Sequence, residues 1–355
     1  MRMMSLFLQM LKIGCIGFGG GSALIPIMHK TFVEEKKAVE ESMFEEAVVI
    51  SSITPGALTI KLAGEIGRQI AGWKGMLVGA SAMALPGVAL TVLFMSLVSN
   101  LSPVLVYWME ILSVGVMAYI VCALVNYIRK TIVDRNGKHR WIAIGIIVSV
   151  FVLTNIFRFS TLSIFVITFV IIFICYGFRK ERCHSTKVNL DWSGTIKEVG
   201  IMLGVVLLVL IPTWLTSKDA IVYACNGILS SLISFGGGDA YLTVADGLFV
   251  GTGIISADKF YGTIVPLVNL LPGSILCKAL SGIGYSIGGY SMALLGFACS
   301  FSASCGIVSI VGCLYRGMGE LPIFYAVKQW IRPVVSGLML NVIVTLIKQC
   351  LEIIG

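Results

Sequence analysis

Two stretches of this chain carry the same residues at a constant separation of 217 positions. Phe18-Gly19-Gly20-Gly21 returns as Phe235-Gly236-Gly237-Gly238, and Pro55-Gly56 returns as Pro272-Gly273. Lys61 is matched by Lys278, and Gly67, Gly72 and Gly79 by Gly284, Gly289 and Gly296. Phe44 and Trp73 meet aromatic counterparts in Tyr261 and Tyr290. A register held without a gap across both copies marks two versions of one structural unit. The first repeat is placed at 1–185 and the second at 186–355.

The setting of these repeats is apolar. The chain is 57% hydrophobic and only 12% charged, with 39 further glycines, whereas soluble domains are about 25% charged. Such a surface could not be kept in water. The composition excludes a cytosolic enzyme, a nucleic-acid binder and a disordered scaffold, and it indicates an all-α polytopic membrane protein. A span needs about 20 apolar residues. Eleven segments qualify, near 5–28, 47–66, 75–98, 104–128, 141–157, 161–178, 199–215, 220–241, 264–284, 291–312 and 333–350, giving an expected ten to twelve transmembrane helices. The Gly-rich pair, 5–28 and 220–241, is open to being broken or re-entrant.

The net charge of +8 reads as topology rather than as a nucleic-acid patch. Arg129, Lys130, Arg135, Lys138 and Arg140 form one basic loop, and Arg179, Lys180, Arg182 and Lys187 form another. Lys and Arg collect in cytoplasmic loops, so both loops, together with Arg68 and Lys74, are expected inside. The N-terminus then lies in the cytoplasm, and its apolar run is retained rather than cleaved. The same count puts the acidic segment from His29 to Glu46 outside. Ser42-Met43-Phe44-Glu45 reads as a capping box that opens the following helix.

Charge also relates the two halves. Arg68 and Lys74 follow the first Pro-Gly span, but the second copy has the uncharged Tyr285 to Ser291 at that place. Conversely, the uncharged turn at 99–103 corresponds to a segment carrying Arg316. The copies are therefore expected upside down relative to each other. Inverted-topology repeats are typical of secondary transporters, whose site lies near the midplane where the repeats meet.

Glycine clusters inside spans weaken the helix and allow close approach, so Gly19, Gly20, Gly21, Gly236, Gly237 and Gly238 are candidate site residues. Pro55-Gly56 and Pro272-Gly273 break the helix again. A helix starting just beyond either proline would aim free N–H groups at an anion, aided by Thr54, Thr59, Asn269 and Ser274. Lys61 and Lys278 stand about 9 Å further along. A lysine in mid-span costs about 2.5–3.5 kcal/mol. Its recurrence in both copies favours an anion or coupling role over snorkelling to the interface. Asp239, beside the second Gly cluster, is a coupling candidate. Asp246, Glu65 and His29 read as interfacial.

The ten cysteines show no framework of disulfide spacings, and Cys183-His184 is too isolated to read as a metal site. No nucleotide loop, nucleophile constellation or metal motif occurs. Neither enzyme activity, cofactor nor metal is expected.

These residues resemble the chromate ion transporter family in its long-chain form with two repeated halves. The likeness runs through Phe18-Gly19-Gly20, the charged stretch ending at Phe44, Thr54-Pro55-Gly56 and Ala71-Gly72-Trp73-Lys74-Gly75. It continues through Phe235-Gly236-Gly237-Gly238, Pro272-Gly273 and Gly284. The family's second proline is replaced by Ala57 and Ser274, its uncharged amides by Lys61 and Lys278, and its histidine by Leu24 and Tyr241. The resemblance implies a cell-membrane transporter of a small oxyanion, chromate and sulfate among them, and leaves a homodimer open. Two other readings stand beside it: a non-transporting membrane scaffold or regulatory subunit of the same fold, and a transporter of an organic anion.

Overall fold

The computed structural model describes residues 3–16, 24–98, 115, 118, 121–122, 124–133, 135–157, 159, 161–176, 192–235, 238–318 and 322–354. Among them every regular element is helical. The chain gathers into two compact units. The first joins Met1–Asn100, Thr186–Gly238 and Leu267–Gly319, and the second joins Leu101–Ser185, Asp239–Pro266 and Glu320–Gly355. Each unit thus draws on both sequence halves, so the compact units do not follow the 1–185 and 186–355 division.

The first unit opens with α1 (Met3–Ile16) and α2 (Ile25–His29), which runs into a π-helical turn at Lys30–Glu35. Then come α3 (Glu41–Ile53) and the long α4 (Leu58–Val98). Helix α3 starts at Glu41 without a side-chain cap bond. The expected capping box at Ser42 therefore lies inside the first turn of the helix rather than at its cap.

Helix α4 is bent back on itself. Ala71 and Gly72 leave helical geometry, Gly72 at φ +60°. A Cβ on Gly67 would collide with the Gly75 carbonyl, and one on Gly79 would stand 2.5 Å from the Ala63 carbonyl. Residues 58–70 and 73–98 are thus antiparallel arms in backbone contact, a packing only glycine permits.

The segment expected to span at 47–66 is a hairpin as well. Glu46 and Glu65 both bind Arg316, yet a straight helix would carry them about 28 Å apart. The break at Pro55-Gly56 folds the chain back, and the Gly56 φ of +98° suits a residue without a Cβ.

The same unit continues with α7 (Trp192–Thr216) and α8 (Ala220–Ile233). The chain leaves helix at Ser234 and Phe235, and α9 (Gly238–Ala245) follows. The expected span at 220–241 is therefore interrupted at Ser234 and Phe235. After α11 (Val265–Leu270), Pro272-Gly273 leads into α12 (Ile275–Met318). Gly273 has φ +97°, and α12 kinks at Gly288 and Gly289 with angles that match Ala71 and Gly72 within about ten degrees. Lys278 reaches back to the Val268 carbonyl, although ten residues of straight helix rise about 15 Å. The segment at 264–284 is a second hairpin.

The second unit holds α5 (Lys138–Asn155), α6 (Thr161–Tyr176) and α13 (Pro322–Ile354), with α13 packed on both of the others. Asn155 Nδ2 donates to Asn341 Oδ1 at 2.9 Å, tying α5 to α13. A second π-helical turn, Asp246–Val250, continues α9. It is followed by α10 (Ala257–Lys259) and a third π-helical turn, Phe260–Ile264. Among the described residues three helices are long and apolar enough to cross a membrane, Leu58–Leu97, Trp192–Thr216 and Ile275–Gly317. In the first and third, the arm beyond the kink is itself long enough to cross.

Candidate functional site

Within the first unit the two Pro-Gly hairpins carry the same small set of contacts. Pro55 and Pro272 are buried, as are Thr54 and Thr59. Thr54 N–H closes the last turn of α3 on the Ile50 carbonyl, and Leu271 N–H does the same on Leu267. Beyond the break, Lys61 N–H bonds the Ala57 carbonyl and Lys278 N–H the Ser274 carbonyl. The four bonds form two pairs, each in the 217-residue register.

The lysines continue this correspondence. Lys61 is 2% exposed and Lys278 is 1% exposed, so neither snorkels. Lys61 Nζ donates to the Thr54 carbonyl, and Lys278 Nζ to the carbonyls of Leu271 and Val268. Each ammonium therefore caps the C-terminal end of the helix before its break, where the helix dipole favours a cation. An ammonium carries three donors. Among the described residues no carboxylate lies within ion-pair distance of either lysine. The pair thus brings two buried amino groups to the beginnings of two helices.

Each tip is cradled by the opposite repeat. Gly56 N–H donates to the Ser234 carbonyl at 2.7 Å. The Cβ position of Gly56 faces Ser304 Oγ at 3.0 Å and the Ser231 carbonyl at 3.5 Å. The other tip, Gly273, faces Gly87 Cα at 3.2 Å and the Gly14 carbonyl at 4.0 Å. Gly87 and Gly14 are the register partners of Ser304 and Ser231. One donor expected to face an anion, Gly56 N–H, is thereby already used by protein. Cys277 lies within hydrogen-bonding reach of Ser274 and Ser300, adding small polar groups beside the second tip.

Of the glycine clusters, Gly19, Gly20, Gly21, Gly236 and Gly237 lie outside the described residues. Gly238 opens α9, and Asp239 follows it in the helix with its side chain outside the described set. Asp246 sits next to Tyr261, and its register partner His29 packs edge-on against Phe44, the register partner of Tyr261, at 5.2 Å.

Glu65, which the sequence left open to an interfacial place, is enclosed by protein. It is fully buried. Arg68 Nε donates to its Oε2 at 2.9 Å, while Arg68 Nη2 and Arg316 Nη2 share Oε1. Arg316 Nε also reaches Glu46 Oε1 at 2.7 Å. Glu46 and Arg68 therefore share one end of the hairpin, whereas the sequence reading put a crossing between them. The signal for this cluster was faint, because Arg316 stands 251 residues from Glu65.

The model of the chromate transporter family matches residues 4–178 and 223–354. This chain belongs to the chromate transporter family. Membership makes it a membrane transporter rather than an enzyme, as its motifs implied. Among relatives, an uncharacterized transporter of Methanocaldococcus jannaschii is 26% identical over 338 residues, covering 92% of this chain and 77% of the relative. The chromate transport protein of Cupriavidus metallidurans is 38% identical over 82 residues, 23% of this chain and 20% of that protein. A probable chromate transport protein of Synechococcus elongatus is 34% identical over 82 residues, again 23% of this chain and 21% of the relative. The last two matches span about a fifth of each relative. No solved structure matches the chain. Within this chromate transporter family member, the hairpins are the feature on which both repeats converge.

Proposed function

We propose that the protein is a secondary transporter of a small divalent oxyanion such as chromate or sulfate, working by alternating access between inverted repeats in the cell membrane. The observation that carries this reading is the pair of buried lysines, each six residues past a Pro-Gly break and each without an acidic partner among the described residues. A dianion between two ammonium groups and two helix N-termini offsets charges that otherwise cost free energy to bury. Lys61 and Lys278 neutralise it. Pro55, Gly56, Pro272 and Gly273 set the helix starts. Gly19–Gly21 and Gly236–Gly238 provide close approach and gating, and Asp239 carries the coupling charge.

Support for inversion comes from Arg316. It lies at the far end of the long arm of α12, yet it binds Glu65, close to the kink of α4. That contact fits two long arms that cross the membrane in opposite senses. The basic loops keep the N-terminus cytoplasmic in this reading. The names of the Cupriavidus and Synechococcus relatives favour chromate as the first substrate to try.

The deciding experiment is uptake of labelled chromate and sulfate into proteoliposomes, with a panel of inorganic and organic anions as competitors. The wild-type chain should take up an oxyanion, and the Lys61→Gln/Lys278→Gln variant should lose that flux while remaining monodisperse. Undiminished flux in the variant removes the lysines from the site. Absence of any anion uptake or binding by the wild-type protein points instead to a scaffold. Inhibition confined to carboxylates selects an organic-anion transporter.

A further inference from the structure

The second unit carries a cavity that the transport site does not use. Helices α5, α6 and α13 leave about 660 Å³ unfilled between them. Ile142, Ile146 and Leu153 line it from α5, Ile164 and Ile171 from α6, and Val334 from α13. The Thr168 hydroxyl on its wall is already bonded to the Ile164 carbonyl. Among the described residues no charged side chain lines the cavity, so its apolar walls offer a free inorganic anion no counter-charge.

Its rim is the opposite. Trp330 closes the lining where α13 meets the start of α5. Arg135 lies 5.4 Å from the Trp330 ring centre, and His139 lies 5.8 Å from it. Arg135 also donates to the Gln329 carbonyl, while its Nη1 is buried without a hydrogen-bond partner among the described residues. Arg332 is near enough to Arg135 to repel it. Lys138 and Arg140 flank His139 on the exposed first turn of α5. Among the described residues no carboxylate pairs with any of these cations.

An aliphatic trough ending in a knot of unneutralised cations matches an amphiphile with acyl chains and an anionic head. We propose that the groove between α5, α6 and α13 binds an anionic phospholipid. Its phosphate rests against Arg135 and Arg332 beside Trp330, and an acyl chain runs along α5 and α6. Basic pockets between membrane helices recognise acidic headgroups by the same combination. Loss of the transport reading would leave this site untouched, since it shares no residue with the hairpins.

Native mass spectrometry of the purified full chain tests the site, with phosphatidylglycerol and phosphatidylcholine of identical chains added in turn. Phosphatidylglycerol should be retained about tenfold better, and the Arg135→Gln/Arg332→Gln variant should lose that preference. A second variant, Gly145→Phe, fills the groove at a position whose Cβ meets nothing within 4 Å. It should lose retention of both lipids without disturbing the fold. Equal retention of the two lipids by the wild-type chain overturns the proposal, as does full phosphatidylglycerol binding by Gly145→Phe. Displacement of phosphatidylglycerol by inorganic phosphate alone also overturns it, because the groove would then contribute nothing.

Discussion

The two Pro-Gly hairpins share their tips and differ at their mouths. Both have a glycine near φ +97°, a lysine capping the preceding helix and a glycine-lined contact between arms. At the first mouth Glu46, Glu65, Arg68 and Arg316 form an ionic cluster. The register partners of those four residues are Thr263, Gly282, Tyr285 and Ser99, none of them charged. The second hairpin is held otherwise: Tyr223 Oη donates to the Leu280 carbonyl at 2.5 Å, where the first repeat has Leu6 and Ala63. Symmetry is kept where a dianion would sit and dropped where the two hairpins are fastened. Under the alternating-access reading proposed above, the two fastenings would differ in strength, and their chemistry does differ: one is ionic and the other a neutral hydrogen bond.

The sharpest way to break this comparison is Glu65→Gln. Two arginines would lose their buried counter-charge, and removing one partner of a buried pair costs about 3–5 kcal/mol. Thermal unfolding in detergent should show a large loss, while Gly282→Ala at the matching place should cost far less. Next come Gly67→Ala and Gly284→Ala. Each puts a Cβ against backbone, the Gly75 and Met292 carbonyls respectively, and overpacking costs about 1–3 kcal/mol. Comparable losses in both would show that the arms are equivalent below their mouths, and a twofold disparity in the free-energy change would show that they are not. Tyr223→Phe should cost about 1 kcal/mol. Hydrogen exchange should rise over 275–287 and stay unchanged over 58–70.

The smallest effect concerns His29, whose register partner is the carboxylic acid Asp246. Its Nε2 stands 2.7 Å from Glu41 and its Nδ1 3.3 Å from Glu34. The hydrogen bond to Glu41 raises its pKa above the usual 6.5. Because the folded value is raised, the stabilisation is complete below the unfolded pKa and fades as pH rises through the folded one. Melting of wild type and His29→Gln should therefore differ most in mild acid and converge toward alkaline pH.

Much of this was legible in the sequence. The 217-residue register named Pro55, Lys61 and Gly67 together with their partners, and the structure repeats their contacts at the same spacing. The two hairpins were not legible as hairpins, because 47–66 and 264–284 have the hydropathy and length of crossings. Hydropathy measures the medium a segment prefers, and a re-entrant loop prefers the same medium as a span. Only the Pro-Gly pairs hinted at reversal, and they were equally compatible with a kink. Glu65 was underrated because a carboxylate looks expensive in an apolar run until its arginines arrive, one from its own helix and one from the other half. The lysines were read as ligands for an anion. That they also cap helices depends on a chain reversal that sequence spacing alone does not specify.

The exchange of cradles has a consequence for biosynthesis. Gly56 is seated against Ser231, Ser234 and Ser304, all of which leave the ribosome long after it does. The first hairpin must wait in the bilayer, its tip unsupported, until the second half has been inserted. The second hairpin, by contrast, finds Gly14 and Gly87 already in place. Insertion is therefore directional even though the product is nearly symmetric, and a polypeptide ending between the halves would leave its tip without a seat. Such a fragment could complete the fold only by borrowing a second chain.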